Sequence, residues 1–322
     1  MTALSRYHVV ALGELVIDLV PARSSEGAFC FAPKPGGAPG NVAVGVAQLG
    51  GRAAMLSKVG EEAFGRLLID TLNSYGVATH GVLTTREGNT SLAVVTVAPD
   101  GDRDFILYRN GCADSTYAPA EVDESTVRRA CVLHIGSLML GHPVSAAAQR
   151  RAIRVAREAE VLVSVDVNLR ASLWRDPDDM RTAALEAAGE ADILKVTDEE
   201  LAFLAGVPDL ADGIAKLWHP RLRVMAVTLG SAGAVLATAQ HRAAVPGFAV
   251  RVVDTVGCGD AFTASLLIDL AASQHDLGSV AGLKRLARRA CATGALTATA
   301  AGAMEALPTA ERRDVFLASN VG

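Results

Sequence analysis

No G-x-x-x-x-G-K-S/T loop occurs in the chain, and no G-x-G-x-x-G sits in a strand-turn-helix setting. There is also no H-E-x-x-H pair and no H-R-D catalytic set. P-loop, dinucleotide-fold, zincin and protein-kinase chemistries are therefore excluded. Cysteine is scarce and unpatterned: Cys30, Cys112, Cys131, Cys258 and Cys291 are odd in number and widely spaced, with no C-x-x-C. That suits reduced thiols in the cytoplasm better than a disulfide framework or a zinc cluster. Uncharged runs such as 224–240 are broken by Gly, Ser and Thr, and no basic-then-apolar start ends in a small-residue cleavage site. Neither a membrane span nor a signal is expected. A formal charge of −5 argues against nucleic acid or an anionic membrane as partner, so a phosphorylated ligand would need a local basic site.

What is present is an alternation of short apolar runs and helical patterns. With 322 residues, 50% of them hydrophobic, the chain can bury a large core. Residues 9–13, 53–57, 132–135, 161–166, 193–196 and 225–229 read as buried strands. Helical patterns lie between them at about 41–49, 61–75, 144–159, 178–189, 198–205, 260–272 and 279–299. This order predicts an α/β fold: a mostly parallel sheet covered by helices on both faces, in one domain over 1–322. Two segments, about 15–33 and 91–110, break the rhythm with extended alternation and a turn at Pro99-Asp100-Gly101-Asp102. They read as a small β lid inserted in that domain. Its exposed face and strand edges predict a homodimer through the lid.

The densest chemistry is Asp254-Thr255-Val256-Gly257-Cys258-Gly259-Asp260. It follows the strand-like run Ala249–Val253 and precedes an apolar helical stretch, giving a strand, glycine turn, helix unit. Two glycines around one small residue bring backbone N–H groups close to a ligand, where the helix dipole favours negative charge. Asp260 beside such a cradle can accept a proton from an attacking hydroxyl. Asp is equally a favoured N-cap and Gly-Cys-Gly a plain tight turn, so the residues alone leave both readings open. Cys258 near a helix N-terminus is either a stabilised thiolate or a small buried filler.

Asp-Thr-x-Gly-x-Gly-Asp opening a helix resembles the signature of the ribokinase-like, PfkB-type carbohydrate kinases. Pro35 to Gly51, followed by Val59 to Gly65, is similar to the N-terminal block of that family, most of all in its fructokinase branch. The motif order runs from Gly13 to about Pro308. The resemblance implies transfer of the γ-phosphoryl of MgATP to a sugar hydroxyl, with Asp260 as base and the amides of Gly257, Cys258 and Gly259 as anion hole. It places Asp18, Gly36, Gly37 and Asn41 against the sugar. Arg109, and Asp166 and Arg170 in the Asp166–Trp174 block, are similar both to fructokinases and to 2-keto-3-deoxygluconate kinases, where paired arginines hold a carboxylate; a guanidinium equally suits a phosphate.

On the nucleotide side the resemblance points to Lys195, Thr228, Gly230, Gly233 and Cys291, with Thr197 and Cys291 standing where relatives have Asn. Glu200 corresponds to an acid linked to Mg2+ through water. Asp254, with the carbonyls of Val256 and Ala298, corresponds to a monovalent cation site that implies possible activation by K+. Fructokinase is the leading reading. 2-Keto-3-deoxygluconate kinase and nucleoside-type kinases are the alternatives within the family, and a silent sugar sensor the alternative outside catalysis.

Overall fold

The computed structural model describes residues 6–25, 27–97, 103–171, 174, 176–272 and 277–320. A nine-stranded sheet contains β1 (Tyr7–Leu12), β4 (Ala53–Gly60), β5 (Ala78–Thr85), β8 (Ala130–Ile135), β9 (Leu162–Asp166), β10 (Ile193–Thr197), β11 (Val224–Thr228), β12 (Ala234–Ala237) and β13 (Arg242–Val245). Their spatial order is β13-β12-β11-β10-β9-β8-β1-β4-β5, and only β12 and β13 join antiparallel. A smaller sheet, in the order β3-β2-β6-β7, holds β2 (Val16–Arg23), β3 (Phe29–Gly36), β6 (Ser91–Val97) and β7 (Arg103–Tyr108).

The central strands are apolar without alternation because both of their faces are covered. Val9 and Ala11 point into a core shared with α1 (Ala38–Gln48), α2 (Ala63–Ser74), α8 (Cys258–Ala271) and α9 (Val280–Thr297). Val10 and Leu12 point the other way, toward α4 (Pro143–Glu158), α5 (Pro177–Gly189), α6 (Asp198–Ala205) and α7 (Leu210–Leu217). Every helix expected from the sequence is present, and α3 (Glu124–Arg128), α7 and α10 (Ala310–Ser319) are additional. α1 lies close on α8: a Cβ on Gly45 would stand 2.6 Å from the Ala264 Cβ. That close packing lets a side chain of α1 reach the first turn of α8.

One expected strand is not there. Residues 249–253 belong to neither sheet, and Val252 and Val253 are 60% and 54% exposed. Pro246 directly follows β13 and has no N–H for a ladder, so pairing stops. The chain instead crosses to the end of α9, where Val253 N and Asp254 N both donate to the Ala298 carbonyl, at 2.8 and 3.3 Å. The glycine turn is thus approached by extended loop, not strand.

The small sheet occupies the segments read as a lid, with β3 running three residues past the expected boundary. Cross-strand register puts Asp18 opposite Ala93, and Ala93 opposite Leu107, on the face toward the main sheet. Phe29, Phe31, Ile106 and Tyr108 belong to the opposite face and are 67%, 41%, 47% and 58% exposed. The turn at Pro99–Asp102 lies outside the described residues. All five cysteines are free thiols. Among the described residues no helix is long and apolar enough to cross a membrane.

Candidate active site

The helix α8 begins at Cys258 because Gly257 takes the left-handed conformation, φ 79°, at its N-cap. A side chain there would be strained and would crowd Ala303, 3.1 Å from the ideal Cβ. The amides of Gly257, Gly259 and Asp260 have no acceptor among the described residues, whereas Cys258 N turns back to Thr255 O at 3.3 Å. The anion cradle therefore gains the Asp260 amide and leans less on that of Cys258 than expected. Gly259 serves close approach: its Cβ would sit 3.4 Å from Lys195 Nζ, so the lysine ammonium lies directly over the cradle.

Asp260 is the third residue of α8 and no cap. Its Oδ2 accepts a 2.7 Å hydrogen bond from Asn41 Nδ2, across 219 residues of sequence. The carboxyl lines a cavity of about 350 Å3 together with Asp18, Asn41, Arg170, Lys195 and Gly257. Burial pushes its pKa up to about 6; the Asn41 bond and the Lys195 and Arg170 charges pull it down, and Asp166 pushes it up.

Lys195 Nζ donates to Asp166 Oδ1 at 3.1 Å, and Asp166 Oδ2 accepts from Thr263 Oγ1 on α8 at 3.1 Å. Burial opposes the lysine's charge, but Asp166, Glu200 and Asp260 outweigh it and hold its pKa above the usual range. Asp166 does not line the cavity. Where a sugar contact was expected, it instead seats Lys195.

The wall formed by Asp18, Gly36 and Gly37 follows from glycine and pleat. Gly36 lies against the Asp18 carboxyl, where a Cβ would meet Oδ2 at 2.5 Å, and Gly37, φ 106°, leads into α1. Burial pushes Asp18 up to about 7, with Arg170 pulling down and Asp260 pushing up. The two arginines part company. Arg170 lines the cavity, but Arg109 is withdrawn: its Nε donates to Asp114 at 2.6 Å and its Nη1 to Leu138 O at 2.8 Å. The expected pair of guanidinium groups is not brought together at the cavity. Glu14, Ser137 and Asn168 also line it and escaped the sequence reading, as did the support from Thr263. A lone acid in the apolar context of Glu14 was the available signal.

Thr228, Gly230 and Gly233 sit at the end of β11 and in the turn to β12, on the same sheet edge as Lys195 and Thr197. A Cβ on Gly233 would meet Val245 O at 2.1 Å, so its φ of 108° serves the turn itself. Thr197 caps α6 in a reciprocal pair: its Oγ1 accepts from Glu200 N and Glu200 Oε2 accepts from Thr197 N. This capping role explains a threonine at that position. Glu200 Oε1 accepts from Leu169 N, so both its oxygens hold backbone and any reach to a cation would run through water.

Among the described residues no group of three acidic, His or Cys side chains could hold a metal alone. The arrangement fits a magnesium ion carried on phosphates and water. Asp254 braces the turn, accepting from Val256 N and Gly302 N. The Ala298 carbonyl, the other expected part of the monovalent cation site, accepts from the amides of Val253 and Asp254. The Cys258 thiol is pushed up to about 12 by burial, Asp254 and Asp260, and Cys291, buried on α9 away from the cavity, to about 11 by burial. That direction favours the reading of Cys258 as a small filler of the first helical turn over a stabilised thiolate.

Free amides at a helix terminus, a lysine above them, a buried acid at their flank and a polar cavity beyond make a phosphoryl-transfer site of the kind that serves an alcohol acceptor. The chain belongs to the pfkB family of carbohydrate kinases, whose family pattern matches residues 6–310. It is a phosphotransferase acting on an alcohol group. Fructokinase-2 of Solanum habrochaites is 42% identical over 306 residues, 94% of this chain and 93% of that protein. The Xylella fastidiosa fructokinase structure with bound ATP has a TM-score of 0.89 at 30% identity, covering 97% of this chain and 99% of that one. The Vibrio cholerae O395 fructokinase, in its fructose, ADP and calcium ion bound form, has a TM-score of 0.86 at 33% identity, covering 96% and 98%. The ribokinase-like fold expected from the sequence is the fold observed.

The raised Asp260 carboxyl has a stability consequence. Its folded-state pKa, about 6, lies above the ordinary 3.8, so on raising the pH the unfolded chain loses this proton first and stability falls through that window. Asp260→Asn is expected to raise unfolding stability by on the order of 2 kcal/mol near pH 7.5, with the gain vanishing toward about pH 4. Urea titrations at both pH values check this; equal stabilities of the two proteins near pH 7.5 would remove the conflict.

Proposed function

We propose that this kinase transfers the γ-phosphoryl group of MgATP to a hydroxyl of fructose. The observation that carries the reading is the placement of Asp260: ionisable, buried, beside the free amides of Gly257 and Gly259 and the Lys195 ammonium, at one end of a cavity walled by Asp18 and Asn41. A magnesium ion bound with ATP, held through water by Glu200, would supply neutralisation of phosphate charge. Asp260 orients the hydroxyl and takes its proton as the new oxygen–phosphorus bond forms and the bond from phosphorus to the β–γ bridging oxygen breaks. The three amides and Lys195 hold the charge on the transferring group, and ADP departs with the electron pair. In a loose transition state the proton leaves late, so a carboxyl with a pKa near 6 suffices.

Fructose is favoured over a sugar acid by Arg109. Its engagement with Asp114 leaves Arg170 as the one guanidinium lining the cavity among the described residues, short of a two-arginine carboxylate clamp. The named relatives, fructokinases at 30–42% identity over nearly the whole chain, support the same choice. A similar Vibrio cholerae fructokinase, 31% identical, is known in a potassium ion bound form, which together with the Asp254 carboxylate supports activation by potassium.

An ADP-release assay across ketohexoses, aldohexoses, keto-deoxy acids and nucleosides tests the acceptor, with fructose expected to give the highest kcat/KM. Asp260→Ala is expected to lose turnover by about a thousandfold or more while ATP binding stays nearly intact. Retention of more than about a tenth of the activity would remove Asp260 from its role.

The proposed assembly is a homodimer through the small sheet. Phe29, Phe31, Ile106 and Tyr108 lie bare on its outer face, an apolar patch that a second copy would bury. Light scattering after size exclusion is expected to give twice the chain mass at micromolar concentration. Phe29→Glu combined with Tyr108→Glu should give the monomer, and a parent protein already monomeric disposes of this interface.

A further inference from the structure

Glu14 lies in the short link between β1 and β2, where the main sheet passes the chain to the small one. It is the one charge within the apolar stretch from Val9 to Ile17, and it is only 6% exposed. It lines the same cavity as Asp18, Asn41 and Asp260. Its Oε2 has no hydrogen-bond partner among the described residues, and neither has Oδ1 of Asn41 on the same wall. The link itself is held firmly: the glycine loop presses on it so closely that a Cβ on Gly37 would meet Glu14 O at 2.6 Å. Burial pushes the Glu14 carboxyl up to about 7, while its own amide, Arg109 and Arg170 pull down and Asp114 pushes up.

A buried carboxyl oxygen without a donor is unfavourable in the fold, and natural proteins keep such atoms where a ligand or water completes them. Two unpartnered acceptors on one cavity wall ask for a ligand rich in donors. A polyol brings a donor with each hydroxyl, whereas a carboxylate brings acceptors only.

We propose that Glu14 is a substrate-binding residue that accepts a hydrogen bond from a non-reacting hydroxyl of the sugar, so that this end of the cavity selects a neutral polyol over a sugar acid. The proposal rests on the fructose-kinase reading above and adds a contact to it. Among the described residues Glu14 shares no hydrogen bond with Asp260, Lys195 or Asp166, so its loss acts on sugar affinity and leaves the chemical step in place.

Glu14→Gln, nearly isosteric, and Glu14→Ala are assayed as full-length proteins with fructose and with its singly deoxygenated analogues, recording kcat and KM for sugar and for ATP. Both variants are expected to raise the fructose KM about tenfold or more, the size of one lost hydrogen bond to a charged group, with kcat within about twofold and the ATP KM unchanged. One deoxy analogue, lacking the hydroxyl that Glu14 receives, should show the same kcat/KM with parent and variants, while the others keep the full defect. An unchanged fructose KM, or an equal defect with every analogue, overturns the contact and makes Glu14 purely structural. The parent's own turnover separates the two layers. A parent active only on a different neutral sugar overturns fructose, and the deoxy series of that sugar then decides Glu14. A parent that prefers a sugar acid, or is silent on every acceptor, overturns both.

Discussion

A single negative charge has to exist where burial opposes it, and the rest of the site is arranged around that conflict. Asp260 lies within the protein, yet the base role proposed for it requires that it give up its own proton near neutral pH. Asn41 donates to it, Lys195 and Arg170 add positive charge, and the start of α8 adds its dipole. Asp166 pushes the other way, but without Asp166 the Lys195 ammonium would be a buried cation lacking its partner. Thr263 grips the second oxygen of Asp166 from α8. Base, cation and counter-ion thus form one buried network joining β9, β10 and α8. A change to any member is felt by the others, because low local polarity strengthens every pairwise term.

The topology explains why these groups meet. β9, β10 and β11 are parallel neighbours, so the ends that carry Asp166, Lys195 with Thr197, and Thr228 emerge along one edge of the sheet. Ligands of open α/β sheets gather at that edge. The catalytic helix is aimed there, and α1 brings Asn41 from the opposite half of the sequence through the Gly45–Ala264 approach. The small sheet closes the far side with Val16, Asp18, Ala93 and Leu107.

Much of this was legible in the residues, and the failures have physical causes. The six expected central strands and seven helices were readable because unbroken apolar runs and 3.6-residue periodicity are local signals. The cradle was readable because two glycines around a small residue before an apolar helix do something that few other patterns require. Residues 249–253 were misread because an exposed loop of Val and Arg has the composition of a strand, and composition says nothing about whether a partner edge is free. Asp166 and Arg109 illustrate a second limit. A charged residue beside a site looks the same in sequence whether it faces the ligand or holds another residue that does. Only geometry shows Asp166 under Lys195 and Arg109 locked on Asp114. Thr197 shows the converse. The Thr-x-x-Glu pattern at 197–200 is a capping box legible in the sequence, hidden behind an expectation of ligand contact.

The small sheet carries a further constraint that follows from the pleat of β2. Successive residues there serve opposite faces: Val16 and Asp18 line the cavity, whereas Ile17 and Leu19 belong with the outer row that ends in Phe31 and Phe29 on the neighbouring strand. At its base the outer row is covered, and Ile17 joins the main core; toward its tip it is bare. A one-residue slip of β2 would carry Asp18 out of the cavity and bring apolar side chains into it. This register is what demands glycine at the end of β3: a Cβ on Gly36 would meet Asp18 Oδ2 at 2.5 Å, and one on Gly37 would meet the Glu14 carbonyl at 2.6 Å. The cavity-lining face and the apolar outer surface are therefore not independent features of this protein. Both are set by one register, held at the hinge where Glu14 and the glycine loop touch.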